Sequence, residues 1–180
     1  MPFSSCPADL IRVKACPEIY MKKTLLSVCA ALLLAGTSVC RAEIAVSEIA
    51  LDGLTLDASP EKLVQQLGRP TTVKTEDRGM SPGGDAMKDI TYVWNGFSAY
   101  YSCYGSTCSM SWMEAAGDST MKTPSGLGTG LPESALKAYG KPYDVEKGDD
   151  GTEISFWAPN RNTLVFTVKN GRICSVRACR

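Results

Sequence analysis

A helix-forming segment that occurs twice is the feature that most constrains how this chain can fold. Residues 59–70 have a counterpart 72 residues later, at 131–142, and a proline, a glutamate, a glycine, a basic residue and a second proline coincide in the two segments. A proline suits the first helical turn, where its missing N–H would have no partner, and a glycine after the last turn ends a helix in the left-handed conformation. Each segment therefore predicts a short helix of about two turns.

Each predicted helix has one apolar stripe at helical spacing. These residues are Leu63, Val64 and Leu67 in the first segment and Ala135, Leu136 and Tyr139 in the second. Ser59 can cap the first helix, whereas the second has Leu131 at that position and lacks the cap. Helices this short are not stable alone in water, so we expect each stripe to pack against a sheet.

A strand-rich block follows each predicted helix. Asn95-Gly96 and Asn170-Gly171 are hairpin signals, and strands are expected at 89–94, 97–103 and 108–114, then at 153–157, 163–169 and 172–178. The polar, glycine-rich stretch at 76–85 is expected to be a loop. The prediction is an α+β fold of two tandem helix plus three-stranded antiparallel meander units, with unit 1 at 43–120 and unit 2 at 121–180.

The order of these motifs is similar to a known repeat unit. A helix ending in Leu67-Gly68-Arg69-Pro70, a strand with an aromatic residue, and an apolar strand running into Asn170-Gly171 resemble the repeat of the beta-lactamase inhibitor protein and of the SmpA/OmlA-type outer-membrane assembly lipoproteins. The resemblance spans about residues 53–180 as two copies, more like the tandem inhibitor. It implies a protein-binding module that inhibits an envelope or extracellular enzyme, with envelope assembly or scaffolding as the second role.

The first 42 residues have the pattern of an export leader. Met21-Lys22-Lys23 precedes an apolar run at 25–35 and small residues up to Ala42, and Met21 is a better start than Met1. The run has eleven residues, whereas a membrane span needs about 20, so no span is predicted. We expect cleavage after Ala42, with lipidation at Cys40 as the alternative, and a periplasmic or secreted protein.

The cysteines after the leader are Cys103, Cys108, Cys174 and Cys179. An even number in an exported protein predicts disulfides, and a hairpin turn would place Cys103 and Cys108 opposite each other. In one straight strand the Cα atoms of Cys174 and Cys179 would be about 16 Å apart, so their pairing needs the tail to curl back. Three connectivities remain open, and a four-thiolate zinc site is the alternative.

The composition excludes several mechanisms. The chain has no histidine, which removes Ser-His-Asp and Cys-His nucleophile pairs and histidine zinc sites. It has 19 basic and 19 acidic residues, and from residue 43 onward 14 and 17, so it lacks the basic surface that nucleic acid requires. No cofactor or metal is predicted, and the protein is expected not to be an enzyme.

A hydrolase is the alternative from another class. Ser59 with Lys62 and Ser119 with Lys122 match the S-x-x-K pattern, in which a lysine assists a serine nucleophile. The chain lacks the accompanying K-T-G and S-D-N motifs. The carboxylate pair Asp149 and Asp150 lies in a glycine-flanked turn, as is common for solvated acidic residues.

Aromatic residues in the strands are the best binding candidates. If the helices cover one face of the sheet, we expect the other face to display Tyr92, Trp94, Tyr100, Trp157 and Arg177, residue types enriched at binding hot spots. The alternative is that these aromatics fill the core. The sequence thus predicts an exported, non-catalytic module that binds another protein through an open sheet face.

Overall fold

The structure is a computed structural model that describes residues 43–180. The predicted leader, its start at Met21 and the lipidation alternative at Cys40 lie outside these residues. The elements along the chain are a 3₁₀ helix at Val46–Glu48, β1 (Ala50–Leu51), β2 (Leu54–Thr55), α1 (Pro60–Leu67), β3 (Thr72–Met80), β4 (Ala86–Trp94), β5 (Phe97–Tyr104), β6 (Thr107–Ala116), a second 3₁₀ helix at Glu133–Tyr139, β7 (Asp144–Gly148), β8 (Gly151–Trp157), β9 (Thr163–Lys169) and β10 (Arg172–Cys179).

Within residues 43–180, eight strands form one antiparallel sheet in the order β3-β4-β5-β6-β10-β9-β8-β7, and β1 and β2 form a separate two-stranded sheet. The two hairpin-connected runs, β3 to β6 and β7 to β10, meet where β6 pairs with β10. The outermost strands of this part of the chain, β3 and β7, each pair with a described strand on one side only. Within residues 43–180, no helix is long and apolar enough to cross a membrane.

This architecture corrects the predicted fold class. The expectation of an α+β fold with two tandem units of one helix plus a three-stranded meander is wrong, because each half has four strands and all eight belong to one continuous sheet in a mostly β structure. The resemblance to the beta-lactamase inhibitor protein and the SmpA/OmlA-type lipoproteins implied those units, and it is therefore wrong as well. The division into units 43–120 and 121–180 stays a prediction.

The two missed strands have a common physical cause. β3 and β7 are exposed at every residue, so they carry none of the apolar alternation that marks a half-buried strand. The stretch predicted as a loop at 76–85 is therefore largely β3 and its turn. The six strands that were predicted are confirmed with small differences at their ends.

The two helices differ because their first turns differ. Ser59 Oγ accepts a hydrogen bond from the backbone N–H of Lys62, and α1 is a regular α-helix. The segment at Glu133–Tyr139 has Pro132 before it, with no side-chain cap, and is a 3₁₀ helix. The amphipathic prediction is confirmed for both, since Leu63, Leu136 and Tyr139 are buried.

The helices pack on one side of the large sheet, which we call the covered face. Leu63 of α1 and Leu136 of the second 3₁₀ helix join one core with inward residues of the strands, among them Tyr101, Phe156 and Phe166. We call the opposite side the open face. Its residues alternate with those of the core, and among residues 43–180 they keep exposed area except for Asp89, Val165 and Ser175.

Candidate functional site: the open face of the sheet

One row of residues crosses the open face from β5 to β8. In the strand register Tyr100 is opposite Trp112, Trp112 is opposite Cys179, Cys179 is opposite Thr163, and Thr163 is opposite Trp157. At a spacing of about 4.8 Å per strand the row is about 19 Å long. We call these five residues the aromatic row, because it begins and ends with large aromatic side chains.

A stacked pair forms the first end of the row. The rings of Tyr100 and Trp112 are nearly parallel, at 3°, with centroids 5.5 Å apart. A hydrogen bond to the Asp89 carboxylate raises the pKa of the Tyr100 phenol. Asp89 is buried and also forms an ion pair with Arg78, whose guanidinium nitrogen is 3.3 Å from its carboxylate oxygen. This end of the row is therefore held in place by polar contacts from β3 and β4.

Trp112 reaches the open face because of a β-bulge. The β5–β6 register shifts between Tyr100 and Tyr101, so that Met110 is opposite Tyr101 and Ser111 is the extra residue. Met110 and Met113 then both point into the core while Trp112 points away from it. Strict alternation along β6 from Met110 would have placed Trp112 on the covered face, and Trp112 is not among the predicted binding residues.

A second aromatic pair forms the other end of the row. Trp157 stacks on Tyr143 with ring centroids 4.0 Å apart and an angle of 13° between the rings. Both residues keep more than a third of their surface accessible, 37% for Trp157 and 38% for Tyr143. Among residues 43–180, the exposed aromatic residues are these two and Tyr104.

Arg177 lies beside the row, on the central strand β10. It is opposite Glu114 of β6 and Val165 of β9, and its Nη2 donates to Glu153 Oε1 of β8 at 3.1 Å. The side chain thus passes over β9 to reach β8. This path accounts for the burial of Val165, which is only 7% exposed although it lies outside the core cluster.

The open face carries charges of both signs. Glu114 and Glu153 flank Arg177, and Glu146 of β7 is directly opposite Glu153. Like charges opposite each other in a sheet are unfavourable. Arg177 is the ion-pair partner of Glu153 in the described chain, and Glu146 has none. A uniformly basic surface, as a phosphate backbone requires, is not formed.

Three of the five predicted binding residues lie on the open face, and two do not. Tyr100, Trp157 and Arg177 are brought to it, whereas Tyr92 and Trp94 pack against the core. Trp94 is 8% exposed, and its Nε1–H donates to the carbonyl oxygen of Gly68 at 2.9 Å. The expectation that Tyr92 and Trp94 are displayed for binding is therefore wrong, because α1 ends over this part of β4.

The cysteines follow the prediction only in part. Cys103 and Cys108 are opposite each other across the β5–β6 hairpin and form a disulfide, as predicted. A disulfide is typical of proteins exported from the cytoplasm. Two oxidised thiols also cannot be zinc ligands, so the four-thiolate alternative is wrong.

Cys174 and Cys179 are free thiols, which corrects their assignment as disulfide cysteines. Both lie on β10, and the strand continues straight past Cys179, where the backbone N–H of Arg180 donates to Ser111 O at 3.0 Å. The tail therefore does not curl back. The Cys174 thiol contacts Thr167 O instead, at 3.2 Å.

The serine–lysine pairs are not assembled as nucleophile and base. Ser59 Oγ is used by the backbone of Lys62, and Ser119 Oγ accepts from the backbone N–H of Met121. In residues 43–180 no hydrogen bond joins either serine to a lysine side chain. No group of three or more acidic or cysteine side chains in the same residues is arranged to hold a metal ion.

Comparison with known proteins finds similarity among solved structures. No protein-family model and no curated protein sequence matches the chain. A cysteine-rich secretory protein from Staphylococcus aureus subsp. aureus Mu50 is 14% identical, with a TM-score of 0.45, and the match covers 77% of this chain and 49% of that one. The chain thus spans about half the length of that structure.

Proposed function

We propose that this chain is an exported, non-catalytic module that binds another protein through the open face of its sheet. The observation that carries the proposal is the aromatic row with Arg177 beside it, on a sheet face that no helix covers in the described chain. Tryptophan, tyrosine and arginine are the residues most enriched at interface hot spots, and hot spots lie near the centre of a contact.

The position of these residues supports a protein partner over a nucleic acid. Aromatic rows also stack bases, but such grooves are lined by basic residues that follow the phosphates. Here Arg177 is flanked by Glu114 and Glu153. Charges of both signs on a protein surface can be matched by complementary charges on a protein partner, which steer the encounter and fix the register of the contact.

The role we propose for this contact is inhibition of an enzyme in the envelope or outside the cell. The disulfide supports an oxidising location, which the periplasm and the exterior both provide. Assembly or scaffolding in the envelope is the alternative role. Assay of the captured partner with and without this protein distinguishes them, because an inhibitor lowers the partner's activity at stoichiometric ratio and a scaffold does not.

Site-specific photo-crosslinking in the producing cell tests the surface itself. A photoreactive amino acid replaces Thr163, in the middle of the aromatic row, and in a matched strain it replaces Lys62, on the exposed side of α1. We expect one partner to be linked through position 163 only. Equal adducts from both positions would contradict the proposal.

Affinity measured with the purified partner then tests the residues. We expect Trp112→Ala and Trp157→Ala each to weaken binding about tenfold or more, as for hot-spot aromatics. Val46→Ala is the matched control, because Val46 is 47% exposed but belongs to the 3₁₀ helix before β1. Unchanged affinity in both tryptophan variants would remove the aromatic row from the interface.

A further inference from the structure

The outer edge of β3 is a second surface that the sheet leaves unpaired. All nine residues of Thr72–Met80 are exposed, and within residues 43–180 β3 pairs with β4 on one side and with no strand on the other. An edge strand offers a row of backbone N–H and C=O groups that another strand can pair with.

The charges along β3 are self-complementary in one register. Lys74 and Glu76 point to the open face, since they are opposite Thr91 and Asp89. Neither side chain forms an ion pair among the described residues. When two copies of β3 pair antiparallel around a two-fold axis at Thr75, each Lys74 lies opposite the Glu76 of the other copy. Such opposite pairs stabilise a sheet, and here the symmetry forms two of them.

The neighbouring registers are disfavoured by the same charges. An axis at Lys74 places that lysine opposite its own copy, and an axis at Glu76 places two glutamates together. A two-fold axis perpendicular to the sheet keeps the same face up in both copies. Because residues directly opposite each other in a sheet point to the same face, the axis must lie at the level of a residue and not between two residues. The β-bulge between Asp77 and Gly79 limits regular pairing to the segment centred on Thr75.

The other edge of the sheet lacks this property. β7 consists of Asp144, Val145, Glu146, Lys147 and Gly148. An axis at Val145 places Asp144 opposite Glu146 of the other copy, and an axis at Glu146 or Lys147 places that residue opposite itself. Every central register of β7 therefore brings like charges together.

We propose that two copies of this protein associate through β3, antiparallel and with Thr75 on the two-fold axis, to form one continuous sheet. The two aromatic rows then lie on the same side of the dimer. This association does not depend on the proposed function of the open face, since β3 carries neither a residue of the aromatic row nor Arg177.

Sedimentation equilibrium of the protein purified after expression of the full chain tests the association. We expect a concentration-dependent dimer, and we expect Glu76→Lys to weaken it about tenfold, because two attractive pairs become repulsive. The double variant Lys74→Glu/Glu76→Lys restores opposite charges and should restore the dimer. A monomer at all concentrations up to about 1 mM, or a dimer that Glu76→Lys leaves unchanged, would overturn the proposal.

Cysteine crosslinking tests the register and tolerates loss of affinity. A residue on the two-fold axis lies opposite its own copy, within the distance that a disulfide spans. We expect Thr75→Cys to form a disulfide-linked dimer with oxidised glutathione, which is reduced as the bond forms. The matched variant Lys147→Cys on β7 should not. Equal crosslinking of both variants would contradict the axis at Thr75, and circular dichroism checks that each variant is folded.

Discussion

Two aromatic side chains hold α1 to the sheet through their polar atoms, and a third joins the segments outside the large sheet to one another. The Tyr101 hydroxyl donates to Ala58 O at 2.7 Å, and Trp94 Nε1 donates to Gly68 O at 2.9 Å, so both ends of the α1 segment are held. The Tyr139 hydroxyl donates to Glu48 Oε2 at 2.5 Å and lies 2.8 Å from Thr123 Oγ1. Burial raises the pKa of the Tyr101 and Tyr139 phenols, which therefore stay protonated and keep donating.

Replacing Tyr101 by phenylalanine should measure one of these contacts. Tyr101 is 1% exposed, so Tyr101→Phe leaves the Ala58 carbonyl without its phenolic donor in a buried place. We expect the free energy of unfolding to fall by about 1–2 kcal/mol in urea titrations. Tyr104→Phe is the control, because Tyr104 is 59% exposed and should change stability by less than about 0.5 kcal/mol. Equal effects of the two variants would contradict this account.

Folding should change the pH dependence of alkylation at the Cys179 thiol. Burial raises its pKa, which means that at a given alkaline pH less thiolate is present in the folded protein than in the unfolded chain. We expect the rate of alkylation of Cys179 by iodoacetamide, followed by peptide mass spectrometry, to rise with pH at a higher midpoint in buffer than in urea. Comparing the pH midpoints separates the ionisation of the thiol from its accessibility to iodoacetamide, since a change in accessibility alone multiplies the alkylation rate by the same factor at every pH. Coincident midpoints would show that the thiol is not buried as described.

At the scale of elements, the two helices differ in whether a side chain caps the first turn. α1 has the Ser59 cap, and the 3₁₀ helix at Glu133–Tyr139 has none. We expect Ser59→Ala to reduce the free energy of unfolding by about 1 kcal/mol and Ser59→Asp to keep most of it, since aspartate also caps. Chemical denaturation of both variants measures this. An aspartate variant as unstable as the alanine variant would mean that the hydroxyl acts through another contact.

The strands show which elements sequence reasoning can find. β9 at Thr163–Lys169 was predicted at its exact bounds, because Leu164, Phe166 and Val168 alternate with more polar residues and are buried. β3 and β7 were missed, because an edge strand exposed on both faces has no buried side to mark it. Their exposed charges also protect the edges from unspecific pairing.

For the whole molecule, the two faces of the sheet should differ in what they contribute to stability. Leu164 is fully buried in the core beneath the helices, whereas its neighbour Thr163 lies on the open face. We expect Leu164→Ala to cost about 2–5 kcal/mol and Thr163→Ala less than about 1 kcal/mol in urea unfolding. A large loss in the threonine variant would indicate that the open face is a second core.

The binding site was only partly predictable for a related reason. Tyr92 and Trp94 were expected on the open face, because alternation along a strand tells which residues share a face but not which face the helices cover. Trp112 was missed because the bulge at Ser111 reverses the alternation of β6 beyond it. A bulge depends on how a strand pairs with its partner, so its position cannot be predicted from the residues of the bulged strand alone.

The sequence by itself determined the local features: the α1 segment with its Ser59 cap, the hairpins at Asn95-Gly96 and Asn170-Gly171, and the short turn that places Cys103 opposite Cys108. Each depends on residues near one another in the chain, whose propensities and geometry act locally. Only the tertiary structure decided that the eight strands of residues 43–180 share one sheet, that Trp94 is buried in the core while Trp112 lies on the open face, and that β3 is an edge strand among these residues. These depend on register and coverage between distant segments, where a shift of one residue moves every side chain to the other face.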